Sequence, residues 1–215
     1  MCIRDRNKDD KDVVVCLGDD GSKEWEFIYP SKFQARMFEG GTASTPTLSG
    51  NQVYTLSPDG QFHCIDLEKG TEVWRRHLQE DFGGRLAQWA YSGSPLVVGD
   101  MVIIDAGGEG ASTLALHKDT GKKIWTAGDD MPGYACPIPF TDGRPGVLLF
   151  KAKHLVANAL ENGQELWRVP WETNYDVNAS SPFQIGDKLF VSSGYSTGRA
   201  VLFQLTGKSP RELWR

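Results

Sequence analysis

A repeat that recurs five times is the feature that most constrains how this chain can fold. Four copies have the frame Gly-x-x-x-Trp, and the pairs that define it are Gly21 and Trp25, Gly70 and Trp74, Gly121 and Trp125, Gly163 and Trp167. A fifth copy ends at Trp214, with Pro210 in the place of the glycine. The five tryptophans are 49, 51, 42 and 47 residues apart. Self-similarity at this period predicts a repeat array or a propeller.

A second landmark divides each repeat into a constant part and a variable part. A residue–proline pair opens an apolar stretch in four units: Thr45-Pro46, Ser94-Pro95, Cys136-Pro137 and Ser181-Pro182. The distance from each of these prolines to the next repeat tryptophan is 28 to 32 residues, whereas the distance from a tryptophan to the next proline is 12 to 21. The nearly constant part is typical of scaffold, and the variable part is typical of loops.

Four short strands fit inside the constant part. In the second unit they are predicted at 44–48, 52–56, 62–66 and 71–75, separated by turns that contain glycine. Tight turns between strands of alternating pattern predict antiparallel hairpins, and repeated four-stranded units predict an all-β fold, a β-propeller. We expect each repeat tryptophan to lie on the outer strand of its blade. Its large ring would fill the gap to the next blade, beside the glycine of the adjacent motif.

The repeat also sets the predicted boundaries. The blade units are about 7–26, 44–75, 93–126, 135–168 and 180–215, which makes about four and a half blades of four antiparallel strands. Open blade edges at both ends lead us to expect a fragment of an eight-bladed propeller, with seven blades as an alternative. Closure by self-association of two copies is a further alternative. Residues 1–6 do not match the repeat and resemble a translated sequencing-adapter scar, so we predict a non-native leader there and a partial propeller over 7–215.

Composition narrows the class of function. The 215-residue chain has a net charge of −5 at pH 7, which argues against a nucleic-acid partner, because phosphates require a basic surface. Its four cysteines form no CxxC motif and show no zinc-like spacing with the four histidines. No apolar run approaches the length needed to span a bilayer. We therefore predict a globular domain without a metal site.

The frame Ser-Pro…Gly-Asp-x-Val…Leu-x-x-x-Thr-Gly-x-x-x-Trp resembles the tryptophan-docking repeats of the PQQ-like β-propeller superfamily. It stands here as Ser94-Pro95, Gly99-Asp100-Met101-Val102, Leu116 and Thr120 to Trp125. The superfamily contains the quinoprotein alcohol and sugar dehydrogenases, the outer-membrane assembly lipoprotein BamB and many extracytoplasmic proteins of unknown role. Several loop segments look closer to the uncharacterised BamB-like branch. The resemblance implies a periplasmic or extracytoplasmic location and a membrane-associated assembly.

The dehydrogenases of this superfamily need a set of cofactor-binding features that is not visible in this sequence. The set comprises a vicinal disulfide, a tryptophan platform under the quinone, and a Ca²⁺ ion held by Glu, Asn and Asp oxygens. No two cysteines are adjacent here. We therefore predict no catalytic residue and no cofactor. PQQ with Ca²⁺ is implied only under the alternative that the chain is part of a PQQ-dependent alcohol or sugar dehydrogenase.

The candidate binding surface lies on the long loops between blades, which are expected to meet at one face around the channel mouth. Aromatic walls with a few polar groups are typical of ligand sites, and the candidates are Trp89, Tyr91, Tyr134, Trp171, Tyr175, Asp176, Asn178 and Tyr195. Trp89 and Trp171 have an alternative role in packing the loops onto the blades. Asp176 and Asn178 are either ligand contacts or caps of turns.

We expect a scaffold that binds a protein or a small-molecule ligand. A dehydrogenase fragment is the main alternative, and a propeller hydrolase or lyase is a third, for which no nucleophile–base arrangement is visible.

Overall fold

Short antiparallel strands joined by tight turns make up most of this protein. The computed structural model describes residues 2–8, 10–31, 43–195 and 198–215. These residues form four four-stranded sheets and one three-stranded sheet, and in every sheet the strands follow chain order. The predicted all-β propeller of four-stranded antiparallel blades is therefore confirmed. We number the sheets as blades 1 to 5 from the amino terminus.

The strands of the five blades are as follows. Blade 1 contains β1 (Cys2–Lys8), β2 (Lys11–Leu17) and β3 (Lys23–Pro30), and blade 2 contains β4 (Thr47–Ser49), β5 (Gln52–Leu56), β6 (Gln61–Asp66) and β7 (Glu72–His77). Blade 3 contains β8 (Leu96–Val98), β9 (Met101–Gly108), β10 (Ala111–His117) and β11 (Lys123–Ala127). Blade 4 contains β12 (Ile138–Thr141), β13 (Pro145–Phe150), β14 (His154–Ala159) and β15 (Glu165–Pro170). Blade 5 contains β16 (Phe183–Ile185), β17 (Lys188–Ser193), β18 (Arg199–Gln204) and β19 (Arg211–Trp214).

Among the described residues, two short helical segments interrupt this pattern, both in loops between blades. Helix α1 (Leu78–Phe82) follows β7 directly, and a single 3₁₀ turn covers Asn174–Asp176. Within the described ranges, no helix combines the length and the apolar composition needed to cross a membrane.

A row of cross-strand neighbours ends at the repeat tryptophan of each complete blade. In blade 3 the row runs Leu96, Ile103, Ala115, Trp125, and in blade 4 it runs Ile138, Leu148, Ala157, Trp167. The rows of blades 2, 3 and 4 pack against apolar side chains of the next blade, so that Trp125 shares a core cluster with Val147 and Leu149. The tryptophans at these seams are buried, with 8% of Trp74, 7% of Trp125 and 4% of Trp167 exposed. The core is therefore a series of seams between blades.

The glycine of the repeat makes room for the tryptophan of the preceding blade. A Cβ atom on Gly70 would lie 2.6 Å from Trp25, one on Gly121 would lie 2.7 Å from Trp74, and one on Gly163 would lie 2.5 Å from Trp125. The same turn supplies a carbonyl oxygen three residues before the glycine. Trp25, Trp74 and Trp125 donate their indole N–H groups to Leu67 O (2.8 Å), Lys118 O (2.7 Å) and Leu160 O (3.0 Å). Each of these seams thus joins apolar contact to one buried hydrogen bond.

The seam between blades 4 and 5 departs from this arrangement. The indole N–H of Trp167 is buried and has no acceptor. The turn that faces it, Thr206 to Pro210, is two residues longer than the matching turn of blade 4, and its last residue is the proline that replaces the repeat glycine. Arg144, in the lengthened first hairpin of blade 4, donates to Gly207 O at 3.0 Å. The two longer turns therefore contact each other at the surface, while the buried hydrogen bond is lost.

The residue–proline landmark has a structural role along the first strands of the blades. The backbone N–H of Thr45 donates to Ser94 Oγ (2.8 Å), that of Ser94 to Cys136 Sγ (3.3 Å), and that of Cys136 to Ser181 Oγ (3.2 Å). The residue before each proline thus joins its blade to the neighbouring one. The sequence analysis found this landmark but did not predict its hydrogen bonds.

Blade 1 differs from the predicted half-blade over 7–26. It has three strands, and β1 pairs with β2 residue by residue from Cys2 opposite Leu17 to Lys8 opposite Lys11. Most of the segment that the sequence analysis left out of the fold therefore belongs to a strand, although Met1 lies outside the described residues. The proposed non-native origin of residues 1–6 stays a prediction. The predicted first strand of blade 2 at 44–48 also begins later, at Thr47.

Candidate functional site

The long loops between blades gather with the second hairpin turns at one face of the protein. Arg85, in the loop after blade 2, donates its backbone N–H to Ala106 O (3.0 Å) in the second hairpin of blade 3. In the loop after blade 3, Tyr134 donates its backbone N–H to Asn178 O (3.0 Å) in the loop after blade 4. The predicted gathering of these loops therefore has a direct counterpart in hydrogen bonds from one blade to the next.

Two of the eight predicted surface residues are aromatic side chains of the interior. Tyr91 is 2% exposed, and its hydroxyl donates to Ala106 O at 2.8 Å. Trp171 is 1% exposed, with the edge of Phe150 against it and the guanidinium of Arg199 above its ring at 3.9 Å from the centroid. Both rings therefore lie in the interior, and Trp171 packs its loop onto blades 4 and 5.

Asn178, a third predicted residue, holds the loops together from inside. It is fully buried, and its Nδ2 donates to Lys151 O and Ala152 O, both at 2.9 Å. Its Oδ1 accepts a hydrogen bond from Thr173 Oγ1 at 3.2 Å. Because both ends of the amide are occupied by the protein itself, Asn178 positions the loop and does not face a ligand.

The other five predicted residues lie at the surface, and we call them the aromatic loop surface: Trp89, Tyr134, Tyr175, Asp176 and Tyr195. The Tyr134 hydroxyl accepts the backbone N–H of Trp89 at 3.3 Å. Burial raises the pKa of Tyr134, and the hydrogen bond from the backbone of Trp89 opposes that increase. Tyr175 is 71% exposed and Tyr195 is 52% exposed. Hydrogen bonds therefore bring together the three loops that carry Trp89, Tyr134 and Tyr175, and Tyr195 lies in the second hairpin of blade 5.

The backbone beneath Tyr175 is strained. Tyr175 has φ 63° and Asp176 has φ 56°, a left-handed conformation that costs a residue with a side chain about 1–3 kcal/mol. Backbone hydrogen bonds hold this turn, from Asp176 N to Thr173 O (3.2 Å) and from Val177 N to Asn174 O (3.4 Å). A strained turn thus displays a large aromatic ring to solvent.

A buried ion pair, which the sequence analysis missed, supports the same face. Lys151 is 1% exposed, and its Nζ donates to Asp105 Oδ1 (2.7 Å), Ser112 Oγ (2.8 Å) and Ser112 O (3.0 Å). Asp105 Oδ2 accepts the backbone N–H of Gly133 at 3.0 Å. Burial lowers the pKa of Lys151 and raises that of Asp105, while their mutual attraction opposes both shifts. The pair fixes the loop that carries Tyr134 against blades 3 and 4.

A polar cleft of about 1220 Å³ lies between blades 1 and 2. His63 lies in its wall and is 2% exposed, with its Nδ1 2.8 Å from Glu72 Oε2. The rings of Tyr29 and Phe27 pack on the imidazole at 4.1 and 5.3 Å between centroids. Charged groups of both signs line the rest of the cleft, including Asp59, Arg75, Arg76 and Asp81. This mixture of charges does not select one class of ligand.

Metal-ligating side chains do not gather anywhere in the described chain. Among residues 10–31, 43–195 and 198–215, no three His, Cys, Asp or Glu side chains are close enough to hold an ion together. Cys64 is a buried free thiol, and Cys136 is a half-buried free thiol.

Solved structures show which proteins share this fold. BamB from Moraxella catarrhalis is similar with a TM-score of 0.65 and 15% identity over 99% of this chain and 57% of that one. The quinohemoprotein alcohol dehydrogenase of Comamonas testosteroni has a TM-score of 0.55 and 16% identity over 92% of this chain and 37% of that enzyme. The quinohemoprotein alcohol dehydrogenase ADHIIG of Pseudomonas putida HK5 has a TM-score of 0.53 and 17% identity over 94% of this chain and 39% of that enzyme. This chain therefore spans little more than half the length of that BamB.

No curated protein matches the chain significantly. The family described as "Outer membrane protein assembly factor BamB" matches residues 10–215, which covers all five blades except strand β1. The likeness to solved structures shows the β-propeller fold, and together with the family match it supports a PQQ-like β-propeller. The chain belongs to the family of the outer membrane protein assembly factor BamB.

Proposed function

We propose that this protein is an extracytoplasmic β-propeller scaffold that binds a protein partner through the aromatic loop surface. The observation that carries the proposal is the exposed ring of Tyr175 on a left-handed turn, next to Asp176 and on a loop that is hydrogen-bonded to the loop of Tyr134. Strained backbone persists where the surrounding structure holds it, and such positions cluster at functional sites. Exposed tyrosine and tryptophan side chains are also those that most often dominate binding energy at protein interfaces.

The family supports the location and the kind of partner. Its description names an assembly factor of the outer membrane, and a protein with that role acts outside the cytoplasm and binds other proteins. The aromatic loop surface offers large rings of low conformational entropy together with one carboxylate, a combination that suits a protein surface. A small-molecule ligand would instead require a concave site that buries most of its surface.

Site-specific photo-crosslinking in a bacterial periplasm tests the proposal. A photoreactive amino acid at position 175 or 195 of the secreted chain is expected to give a discrete adduct with one protein of the cell envelope. The same amino acid at position 124 is the control, because Ile124 is 44% exposed but lies on the last strand of blade 3, away from the loops. Equal adducts at all three positions, or adducts at position 124 alone, would contradict a loop-face binding site.

A dehydrogenase is the second candidate function, and the fold it shares with the quinohemoprotein enzymes favours it. The described residues do not fit the cofactor. The face of Trp171 is covered by Arg199, and the Asn178 amide is occupied by backbone carbonyls. Trp25, Trp74 and Trp125 are held against the repeat glycines. On these grounds we propose that the protein does not bind PQQ.

The matching test uses PQQ itself. Titration of the chain with micromolar PQQ, with and without Ca²⁺, is expected to leave its tryptophan fluorescence and its melting temperature unchanged. Dye-linked oxidation of alcohols after reconstitution, abolished by Asp176→Ala and retained by Asp129→Ala, would establish the dehydrogenase instead.

A further inference from the structure

Four buried polar atoms lie together at the seam between blades 4 and 5, at the end where the long loops gather. They are Nε1 of Trp171, Oγ of Ser193, and Nε and Nη2 of Arg199, and none of the four has a hydrogen-bond partner among the described residues. Trp171 is 1% exposed, Ser193 is 6% exposed and Arg199 is half-buried. Buried polar groups without partners are rare, because each gives up its hydrogen bonds to water and gains none. A cluster of them indicates a place where another group binds.

Strand register and one ring contact bring the three side chains together. Ser193 on β17 lies directly opposite Arg199 on β18, so both side chains leave blade 5 on the same side. That side faces blade 4, because Val201, two residues after Arg199, belongs to the core cluster of Trp167. The guanidinium of Arg199 lies 3.9 Å from the centroid of the Trp171 ring, which places the indole N–H beside it. The cluster therefore lies within a seam between two blades, away from the outer face of blade 5.

The position of Arg199 recurs in the other four-stranded blades, where the protein itself supplies a partner. The residue three positions before the cross-strand partner of the repeat tryptophan is Gln61 in blade 2, Ser112 in blade 3, His154 in blade 4 and Arg199 in blade 5. Gln61 donates its side-chain amide to Pro30 O, and Ser112 donates its hydroxyl to Asp130 O at 2.7 Å. Arg199 differs from both, since two of its buried nitrogens find no acceptor in the described part of the chain.

The neighbouring seam shows which group suits a basic side chain at this position. Nδ1 of His154 lies 2.6 Å from Asp130 Oδ1, so a carboxylate from the loop after blade 3 faces the residue equivalent to Arg199. Glu172 follows Trp167 by five residues, as Asp130 follows Trp125, but Glu172 is exposed. A planar guanidinium binds a carboxylate through two parallel hydrogen bonds. A carboxylate from outside the chain would thus restore at this seam the pairing that Asp130 provides at the previous one.

The charges that act on Arg199 do not neutralise it. Burial lowers the pKa of Arg199, the charge of Arg215 lowers it further, and the charge of Glu212 opposes both effects. Glu212 is already bound through both carboxylate oxygens, at 3.2 Å from Arg215 Nε and 2.7 Å from Arg215 Nη2. Because a guanidinium stays protonated in proteins, a positive charge remains at the seam and attracts an anion.

We propose that Trp171, Ser193 and Arg199 form a binding site for a carboxylate group. The half-buried guanidinium meets the carboxylate first, and the indole N–H and the serine hydroxyl are further donors beside it. The site goes beyond the proposed function and does not depend on it. Tyr175 and Tyr195 of the aromatic loop surface follow Trp171 by four residues and Ser193 by two. The carboxylate therefore comes either from an acidic side chain of a protein bound to that surface or from a small organic acid.

NMR of the indole N–H groups tests the site in the 215-residue chain. Trp171→Phe identifies the indole peak of Trp171 by removing it. Sodium acetate is expected to move this peak downfield in a saturable manner, because the N–H gains an acceptor, whereas sodium chloride at the same ionic strength is expected to leave it in place. Arg199→Gln gives this position the side chain of blade 2 and is expected to weaken acetate binding at least tenfold. Ser193→Ala is expected to weaken it by a smaller factor.

The controls separate this site from a general effect of charge or folding. Arg211→Gln removes an exposed cation at the other end of the strands of blade 5 and is expected to bind acetate as the wild type does. The remaining indole peaks of Arg199→Gln are expected to keep their positions, which shows that the variant is folded. A wild-type Trp171 peak that acetate does not move would overturn the proposal. A shift that Arg199→Gln retains in full would overturn it as well.

The crosslinking assay distinguishes the two sources of the carboxylate. With the photoreactive amino acid at position 175, Arg199→Gln is expected to lose most of the adduct, because an acidic side chain of the partner then has no counter-ion. An adduct retained in full would assign the site to a small organic acid instead. If the wild type forms no adduct, the proposed function fails while the carboxylate site stands, because the acetate titration does not involve the partner.

Discussion

Glycine is required at the seam for two separate reasons, its left-handed backbone and its close contact with tryptophan, and the structure allows the two to be distinguished. Gly121 has φ +63°, which disfavours any residue with a Cβ atom, and a Cβ there would also lie 2.7 Å from the Trp74 ring. Gly110 has nearly the same backbone, φ +66°, but a Cβ there would meet nothing within 4 Å. Comparing the two positions therefore isolates the contact with tryptophan from the conformational preference of glycine.

We expect Gly110→Ala to lower the free energy of unfolding by about 1–2 kcal/mol, the cost of a left-handed residue with a side chain. We expect Gly121→Ala to lower it by about a further 1–3 kcal/mol, since a methyl group forced into a close-packed seam displaces its neighbours. Urea unfolding followed by tryptophan fluorescence measures both. Equal losses would show that the seam glycine is required for its backbone alone.

His63 is a titratable residue in a seam position that other blades fill with aliphatic side chains. It precedes the residue paired with Trp74, as Leu114 and Val156 precede the residues paired with Trp125 and Trp167. Burial lowers the pKa of His63 below 6.5, and the hydrogen bond to Glu72 opposes this only in part. A histidine whose pKa falls on folding favours the folded state when neutral. Its contribution is therefore fully present above about pH 6.5 and is lost as the pH falls below that value.

The lowered pKa of His63 therefore predicts how the stability of the protein changes with pH. Between pH 7.5 and pH 5.5 the wild-type melting temperature is expected to fall more than that of His63→Leu, which places in this seam the side chain that blade 3 uses. His117→Gln, at a half-buried position outside the seams, is the control and is expected to follow the wild type. A wild-type and a His63→Leu profile of the same slope would mean that His63 does not couple protonation to stability.

At the scale of strands and turns, the sequence predicts what recurs. Trp74 and Gly121 belong to a spacing that repeats, so their contact across a seam followed from the period together with the size of an indole ring. Lys151 and Asp105 occur once, 46 residues apart, and nothing in the local pattern of either strand indicates that they meet. The loops show the same limit. The sequence analysis predicted both Trp171 and Tyr175 as residues of the binding surface, because both are aromatic residues of one loop. Tertiary packing decides that Trp171 is buried and Tyr175 is exposed.

The turn facing Trp167 offers a test at this scale. Replacing Thr206 to Pro210 with Glu-Asn-Gly, the turn of blade 4 after Leu160, restores both the length and the glycine of the repeat. An acceptor for the buried Trp167 N–H is expected to stabilise the protein by about 1–3 kcal/mol. The exposed bond between Arg144 and Gly207 would be lost, but an exposed contact of this kind contributes little.

A double-mutant cycle identifies the cause of this stabilisation. Trp167→Phe removes the indole N–H, so the same turn replacement in that variant is expected to give a smaller gain in melting temperature. If the gain is the same in both backgrounds, it comes from the shorter turn and not from a new hydrogen bond.

At the scale of the whole molecule, three of the four seams between blades repeat one set of contacts, and the features that do not repeat lie mainly in the loops. Asn178 and the pair of Lys151 with Asp105 fix these loops from beneath. The aromatic loop surface stands above them, and its most exposed ring is carried by a strained backbone. A position selected for binding and not for stability is expected to respond oppositely to the two measurements.

Tyr175→Gly makes this expectation testable. Glycine adopts φ 63° without a steric penalty, so the variant is expected to raise the free energy of unfolding by about 1 kcal/mol, partly offset by the greater freedom of glycine when unfolded. With the photoreactive amino acid moved to position 195, the same variant is expected to lose most of its adduct with the envelope partner. Asp176→Gly, which relieves the neighbouring strain at φ 56° but keeps the Tyr175 ring, is the matched control and is expected to gain stability and retain more of the adduct. A Tyr175→Gly variant that loses stability and keeps its adduct would show that the turn serves folding, and that the partner binds elsewhere.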